Sequence, residues 1–366
     1  MTGNPLRPAG PAPSPRPAQT GSGQGVPADG RMRDGQLDRD GATISYSVCA
    51  AADGQAAGGP PLLLTHGYGA SATMWQGNLA ALSAGRTVIT WDICGHGRTS
   101  SPADPARYSE PGSVADMAAV LGACGTQRAV VGGLSLGGYL SLAFWLRHPD
   151  RVAALVLCDT GPGYRRDEPR DQWNARALAR ADALERRGAE ALSNSPEVPG
   201  TGQNPRGLAL AARGILTQRD ARVLESLPGI TVPVLVVVGA NDTPFRAAAD
   251  YMASKIPGAT LAVLANAGHA ANMDQPAAFN TAVLDFLGTL PSAGPGLAQL
   301  ASAALALLSR PRPACRSWMV QPASPASPEP SQLRPSPSPP ACGAQLAHLA
   351  SAALPWAQSC WRNPRH

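Results

Sequence analysis

Three residues have the types and settings needed for acyl-transfer chemistry: Ser135, Asp242 and His269. Ser135 stands in Gly133-Leu134-Ser135-Leu136-Gly137, with Gly138 behind it. An apolar run, 129–132, precedes the motif, and a helix-like stretch, 139–147, follows it. A serine between two glycines at a strand-to-helix junction suits a nucleophile on a tight turn. Glycine at 133 and 137 lets strand and helix approach without Cβ clashes, and the serine backbone is expected in a sparsely populated conformation. The hydroxyl needs a base, and His269 follows the last strand-like run in Ala267-Gly268-His269. The imidazole needs a carboxylate to fix its tautomer and stabilise its charged form. Asp242 supplies one in Gly239-Ala240-Asn241-Asp242, directly after the apolar run 232–238.

A nucleophile of this kind also needs donors for the oxyanion that forms. Thr65-His66-Gly67-Tyr68-Gly69 follows an early apolar strand. The N–H of Tyr68 on one side and that of Leu136, at the start of the following helix, on the other are the candidate oxyanion hole. His66, and His96 in Cys94-Gly95-His96-Gly97, are expected to hold their loops rather than react. Tyr68, Trp75 and Trp173 are the expected walls of an apolar pocket of modest size.

The elements that must position these groups follow from the hydropathy pattern. Short apolar runs at 61–65, 87–91, 129–133, 152–158, 232–238 and 260–264 alternate with helical stretches at 74–82, 114–123, 136–147, 247–254 and 277–290. Residues 42–50 read as an edge strand. The alternation predicts an α/β fold: a mostly parallel β-sheet with helices on both faces. Residues 165–228 break the pattern with helical pieces at 170–187 and 208–216 around a loop at 194–205. An insertion above the carboxyl edge of the sheet is well placed to act as a short helical lid.

Composition sets the boundaries. Of 37 prolines, seven lie in 1–36 and thirteen in 292–366. Both ends are expected to be disordered, leaving a domain over 37–291. The tail carries a Ser-Pro stretch at 322–340, which suits a spacer better than a polyproline ligand for a weakly held protein partner. The formal charge of +5 divides into +5 for 292–366, +2 for 1–36 and −2 for 37–291. The middle therefore has no basic face to explain, and nucleic-acid binding is not expected. Seven cysteines lie scattered without CxxC spacing, so no metal site is expected and a reducing, cytoplasmic setting is. No apolar run approaches the about 20 residues that span a bilayer.

With these residues in place, 37–291 resembles the α/β-hydrolase superfamily, in its branch of small esterases, lactonases, carbon–carbon hydrolases and cofactor-free haloperoxidases. The resemblance rests on His66-Gly67-Tyr68-Gly69, on Asp92-Ile93-Cys94-Gly95-His96-Gly97-Arg98-Thr99-Ser100 and on Gly133 to Gly138. It rests also on Gly239 to Asp242, and on Gly268-His269 with Asp274 and Pro276 behind. The order Ser135, Asp242, His269 is that of the family's triad. Cys94 and Asp274 depart from the family's usual arginine and glutamate. Asp159, after 152–158, stands where some relatives place the acid, but Asp242 has the commoner position. Serine at the elbow argues against the aspartate-based chemistry of epoxide hydrolases and dehalogenases. The resemblance implies a cofactor-free serine hydrolase that cleaves a carboxylic ester, lactone or thioester of a small acyl substrate through an acyl-enzyme on Ser135. The alternatives it leaves open are a carbon–carbon hydrolase, an acyltransferase or a haloperoxidase on the same triad, or a ligand-binding receptor or scaffold with little turnover.

Overall fold

The computed structural model describes residues 32–52, 59–192 and 203–290. The expected disordered arm up to residue 31, the tail 292–366 with its Ser-Pro stretch, and most of the loop expected at 194–205 lie outside these residues.

The described residues form one eight-stranded sheet: β1 (Met32–Arg39), β2 (Ala42–Cys49), β3 (Leu62–Thr65), β4 (Val88–Trp91), β5 (Ala129–Leu134), β6 (Val152–Cys158), β7 (Val234–Gly239) and β8 (Thr260–Leu264). The spatial order is β1-β2-β4-β3-β5-β6-β7-β8. β1 pairs antiparallel with β2, and β2 with β4. Every other pairing is parallel. β5, β6 and β7 read AVVGGL, VAALVLC and VLVVVG. Such runs are apolar throughout because both faces of the sheet are covered.

One strand departs from the sequence-based expectation. β1 begins at Met32, inside the segment expected to be disordered, and it displaces β2 from the edge of the sheet. Asp40 and Gly41 both have positive φ, at 47° and 75°. Two such residues make the tight hairpin turn whose twist matches paired strands, and Asp-Gly is its usual sequence. β1 is polar because it lies at the edge with mostly half-buried and exposed side chains.

The helices are α1 (Gln76–Leu82), α2 (Glu110–Ala123), α3 (Leu136–Arg147), α4 (Asp167–Arg187), α5 (Pro205–Ala211), α6 (Arg222–Glu225), α7 (Thr243–Lys255), α8 (Ala271–Asp274) and α9 (Pro276–Gly288). Strand alternation divides the core into two layers. Leu62, Leu64, Val88, Val130, Val156 and Leu235 pack with Leu79 and Leu82 of α1 and Phe279 and Val283 of α9. Leu63, Ile89, Val131, Leu155 and Val236 pack with Met117 of α2, Leu140 of α3 and Met252 of α7. Among the described residues, no helix is long and apolar enough to cross a membrane.

Between β6 and β7 lie α4, α5, a π-helical turn (Ala212–Leu216) and α6, the expected helical insertion. Trp173 Nε1 donates to Leu216 O at 2.8 Å, and Asn174 exchanges two 2.8 Å bonds with the Gln218 backbone. Arg213 closes on Asp182 and Glu185 of α4 at 2.5 and 2.8 Å. From β3 the chain moves to β4 on one side and returns to β5 on the other. Clefts open beyond the carboxyl ends of strands at such a switch point. Both the Tyr68 loop and Ser135 leave the sheet there.

Candidate active site

The turn after β5 has the strain expected of a nucleophile elbow. Ser135 lies at φ 55°, ψ −115°, between β5 and the first residue of α3. This region is sparsely populated for any residue with a Cβ. A Cβ on Gly133 would come 2.5 Å from Gly137 C and 2.6 Å from Thr65 O. A Cβ on Gly137 would come 2.7 Å from His66 O and closer still to Thr65 O. All these neighbours are backbone, so they cannot swing away. Gly137→Ala is expected to cost about 3 kcal/mol of stability in denaturant unfolding. Gly122→Ala, where an added Cβ meets open space on α2, is expected to gain up to about 1 kcal/mol.

The three candidate side chains meet on one imidazole. His269 Nε2 lies 3.0 Å from Ser135 Oγ, and His269 Nδ1 lies 2.8 Å from Asp242 Oδ2. Asp242 is 3% exposed and sits at the mouth of α7. An acidic acceptor at Nδ1 requires the proton there, which leaves the Nε2 lone pair for the serine hydroxyl. The two loops are stitched together beneath the imidazole. Asn241 N donates to Ala267 O and Ala240 N to Leu264 O, each at 2.8 Å, and Gly268 N donates to Asp274 Oδ2 at 2.7 Å. Phe245 stacks on the imidazole with ring centroids 4.6 Å apart. The sequence reading did not single out Phe245; its place in the first turn after Asp242 is the signal that marks it.

The Tyr68 loop packs directly on the elbow: a Cβ on Gly67 would lie 3.5 Å from the Ser135 Cβ. His66 is the brace beneath. Ile93 N–H donates to its Nε2 at 3.0 Å, so Nδ1 carries the proton and donates to Gly67 O at 2.7 Å. Burial holds its pKa below the ordinary imidazole value. His96 is also buried and neutral, with burial pushing its pKa down to about 3. Asp92 accepts Ala72 N–H at 2.7 Å and Arg98 N–H at 3.1 Å, fixing the loop that it begins. His96 Nδ1 lies 3.2 Å from Cys94 O, so each histidine has a hydrogen-bonded place in its own loop. Leu136 opens α3, where a backbone N–H has no acceptor within the helix.

The expected pocket residues fall in different places. Tyr68 is nearly buried, and its hydroxyl donates to Leu208 O of the insertion at 2.8 Å. Arg180 of α4 lies over its ring at 5.5 Å. Trp75 is a correction: it is fully buried in the layer with Phe279 of α9, a core side chain rather than a pocket wall. A 3-10 turn (Ala72–Trp75) precedes α1, and the Trp75 ring packs on that of Phe279 with centroids 6.0 Å apart. Trp173 is half-buried, and its indole ties α4 to the π-helical turn. Asp159, the alternative acid, directs its carboxylate to the backbone of two loops.

The fold and this geometry define a class. Residues 62–282 match the model of the alpha/beta hydrolase family, and the chain belongs to that family. It is 29% identical over 245 residues to 3-oxoadipate enol-lactonase 2 of Acinetobacter baylyi, covering 61% of this chain and 87% of that protein. It is 32% identical over 253 residues to the pimeloyl-[acyl-carrier protein] methyl ester esterase of Chromobacterium violaceum, covering 63% of this chain and 95% of the other. Among solved structures, a hydrolase of Pseudomonas aeruginosa PA01 superposes with a TM-score of 0.58 at 31% identity, covering 71% of this chain and all of that one.

Proposed function

We propose that the chain is a serine hydrolase in which Ser135, His269 and Asp242 are the catalytic triad. The observation that carries this reading is the single imidazole hydrogen-bonded to Ser135 at one nitrogen and to Asp242 at the other. Ser135 Oγ attacks the carbonyl carbon while its proton passes to His269 Nε2. The carbonyl oxygen becomes an oxyanion held by the N–H groups of Tyr68 and Leu136. The imidazolium, stabilised by Asp242, then gives its proton to the leaving oxygen or sulfur, and the acyl group remains on Ser135. Water repeats the sequence: His269 takes its proton, hydroxide equivalent attacks the acyl carbon, and Ser135 recovers the proton as the acid departs.

The substrate class is a small-molecule carboxylic ester, lactone or thioester. Relatives named as an enol-lactonase and as a methyl ester esterase support this choice. The insertion over Tyr68 supports a modest pocket, because it brings Leu208 within a hydrogen bond of the candidate oxyanion loop. The test is labelling with a fluorophosphonate probe beside a panel of short- and long-chain esters, lactones and thioesters. Labelling of the folded wild type with turnover of one of these classes is the expected result. A folded wild type that neither labels nor turns over any of them overturns the reading.

A further inference from the structure

Three consecutive residues at the end of β6 hold backbone from every loop that carries a triad side chain. Cys158 O accepts Ser135 N–H at 2.9 Å, and Thr160 Oγ1 donates to Ser135 O at 2.6 Å. Between them, the Asp159 carboxylate divides its oxygens. Oδ1 accepts Gly239 N–H at 2.8 Å, three residues before Asp242. Oδ2 accepts Ala271 N–H at 3.0 Å, two residues after His269, together with the Cys158 thiol at 3.2 Å. Asp159 is wholly buried, and its own backbone is at φ 44°. Such a conformation persists in a residue with a Cβ only where its surroundings over-determine it.

This arrangement asks for a carboxylate in particular. Two backbone donors arrive from different loops, and only an ionised carboxylate offers a full acceptor to each. An amide has one acceptor oxygen, and its NH2 would face the second N–H. An apolar residue would leave both N–H groups buried without a partner.

We propose that Asp159 is the positioning residue of the triad, one oxygen on each loop setting the distance between the Asp242 turn and the His269 loop. That distance decides whether one imidazole reaches Asp242 and Ser135 at once. The inference rests on the triad reading above. It assigns Asp159 no contact with substrate.

A consequence follows for pH. Burial pushes the Asp159 carboxyl up to about 7, against the lowering effect of the Gly239, Cys158 and Ala271 donors. The titratable groups beside it are Cys158 on its own strand, whose thiol burial holds in the neutral form, and Asp242 beyond β7, whose charge adds to the upward shift. As pH falls through about 7, one oxygen gains a proton and becomes a weaker acceptor, which loosens one arm of the clamp. Protonation of Asp159 then adds a proton to the loss of activity on the acid side.

The test compares full-length wild type, Asp159→Asn and Asp159→Ala by ester turnover, fluorophosphonate labelling rate and thermal melting, each across the pH range of the acid limb. Both variants are expected to melt cooperatively and to keep KM within about twofold. Their kcat and labelling rate are expected to fall about 10²-fold, the effect of a small misplacement of reacting groups. The wild-type acid limb is expected to be steeper than one proton, and that of Asp159→Asn to follow one. Variants with wild-type kcat and labelling overturn the inference, as does a KM that rises in step with the loss of kcat. Should neither variant fold, Asp159→Glu decides: a longer carboxylate keeps both acceptors but shifts the two loops, so a folded variant that loses kcat at constant KM supports the clamp, and one with wild-type kcat overturns it. An active wild type with indifferent variants removes only the positioning role, whereas a wild type without labelling or turnover removes the triad reading itself.

Discussion

Ser135→Ala is expected to abolish fluorophosphonate labelling and to lower kcat by about 10⁶-fold, the loss seen when a triad nucleophile is removed. In triad enzymes the residual rate comes from oxyanion-hole donors and substrate binding, and the substitution leaves the candidate donors, the Tyr68 and Leu136 N–H groups, in place. Alanine keeps the backbone conformation of the elbow at φ 55°, ψ −115°, and it removes only the hydroxyl that meets His269 Nε2. Unfolding by denaturant is therefore expected to match the wild type within about 0.5 kcal/mol. Labelling that survives the substitution would place the nucleophile elsewhere.

Asp242→Asn is expected to cost about 10⁴ in kcat while leaving the loop geometry in place. The physical reason is the tautomer. Asp242 Oδ2 accepts from His269 Nδ1 at 2.8 Å. An asparagine that turns its amide NH2 toward Nδ1 stabilises the imidazole with its proton on Nε2. That nitrogen then has no lone pair for the serine hydroxyl, 3.0 Å away. Raising the pH does not restore it, since the ring is neutral in either tautomer. The measurement is kcat for the best ester of the panel, with thermal melting as the check on folding. The same experiment separates the two buried acids. Asp159→Asn is expected to lose far less than Asp242→Asn, and the reverse order would move the triad acid to Asp159.

Much of this site was legible in the sequence because its signals are local. The glycines at 133 and 137 report a close approach that their own positions reveal, and Thr65 O proves to be what they make room for. Ser135, Asp242 and His269 each follow a strand of the same parallel sheet, so one reading of strand ends brings them to one edge. The features that escaped have non-local causes. β1 is a polar edge strand whose pairing depends on β2, and the Asp40-Gly41 turn is its one local sign. Trp75 has the composition of a pocket wall but is turned inward by packing against Phe279, far along the chain. The backbone partners of Asp159 lie 80 and 112 residues away, and no side-chain spacing reports a backbone N–H. Arg180 over Tyr68 likewise depends on how the insertion folds back over the Tyr68 loop.

The elbow sets two kinds of selection against each other at one position. Ser135 stays in a conformation that costs about 1–3 kcal/mol in any residue with a Cβ. Glycine adopts it without strain, offset in part by a freer unfolded chain. A lineage that no longer needed turnover would therefore be drawn toward glycine at 135 by stability alone, with the sheet, His269 and Asp242 left intact. On the proposed triad reading, serine there is a residue that folding disfavours and catalysis requires. Among chains sharing this architecture, glycine at the elbow would mark those that kept the ligand site after giving up the reaction.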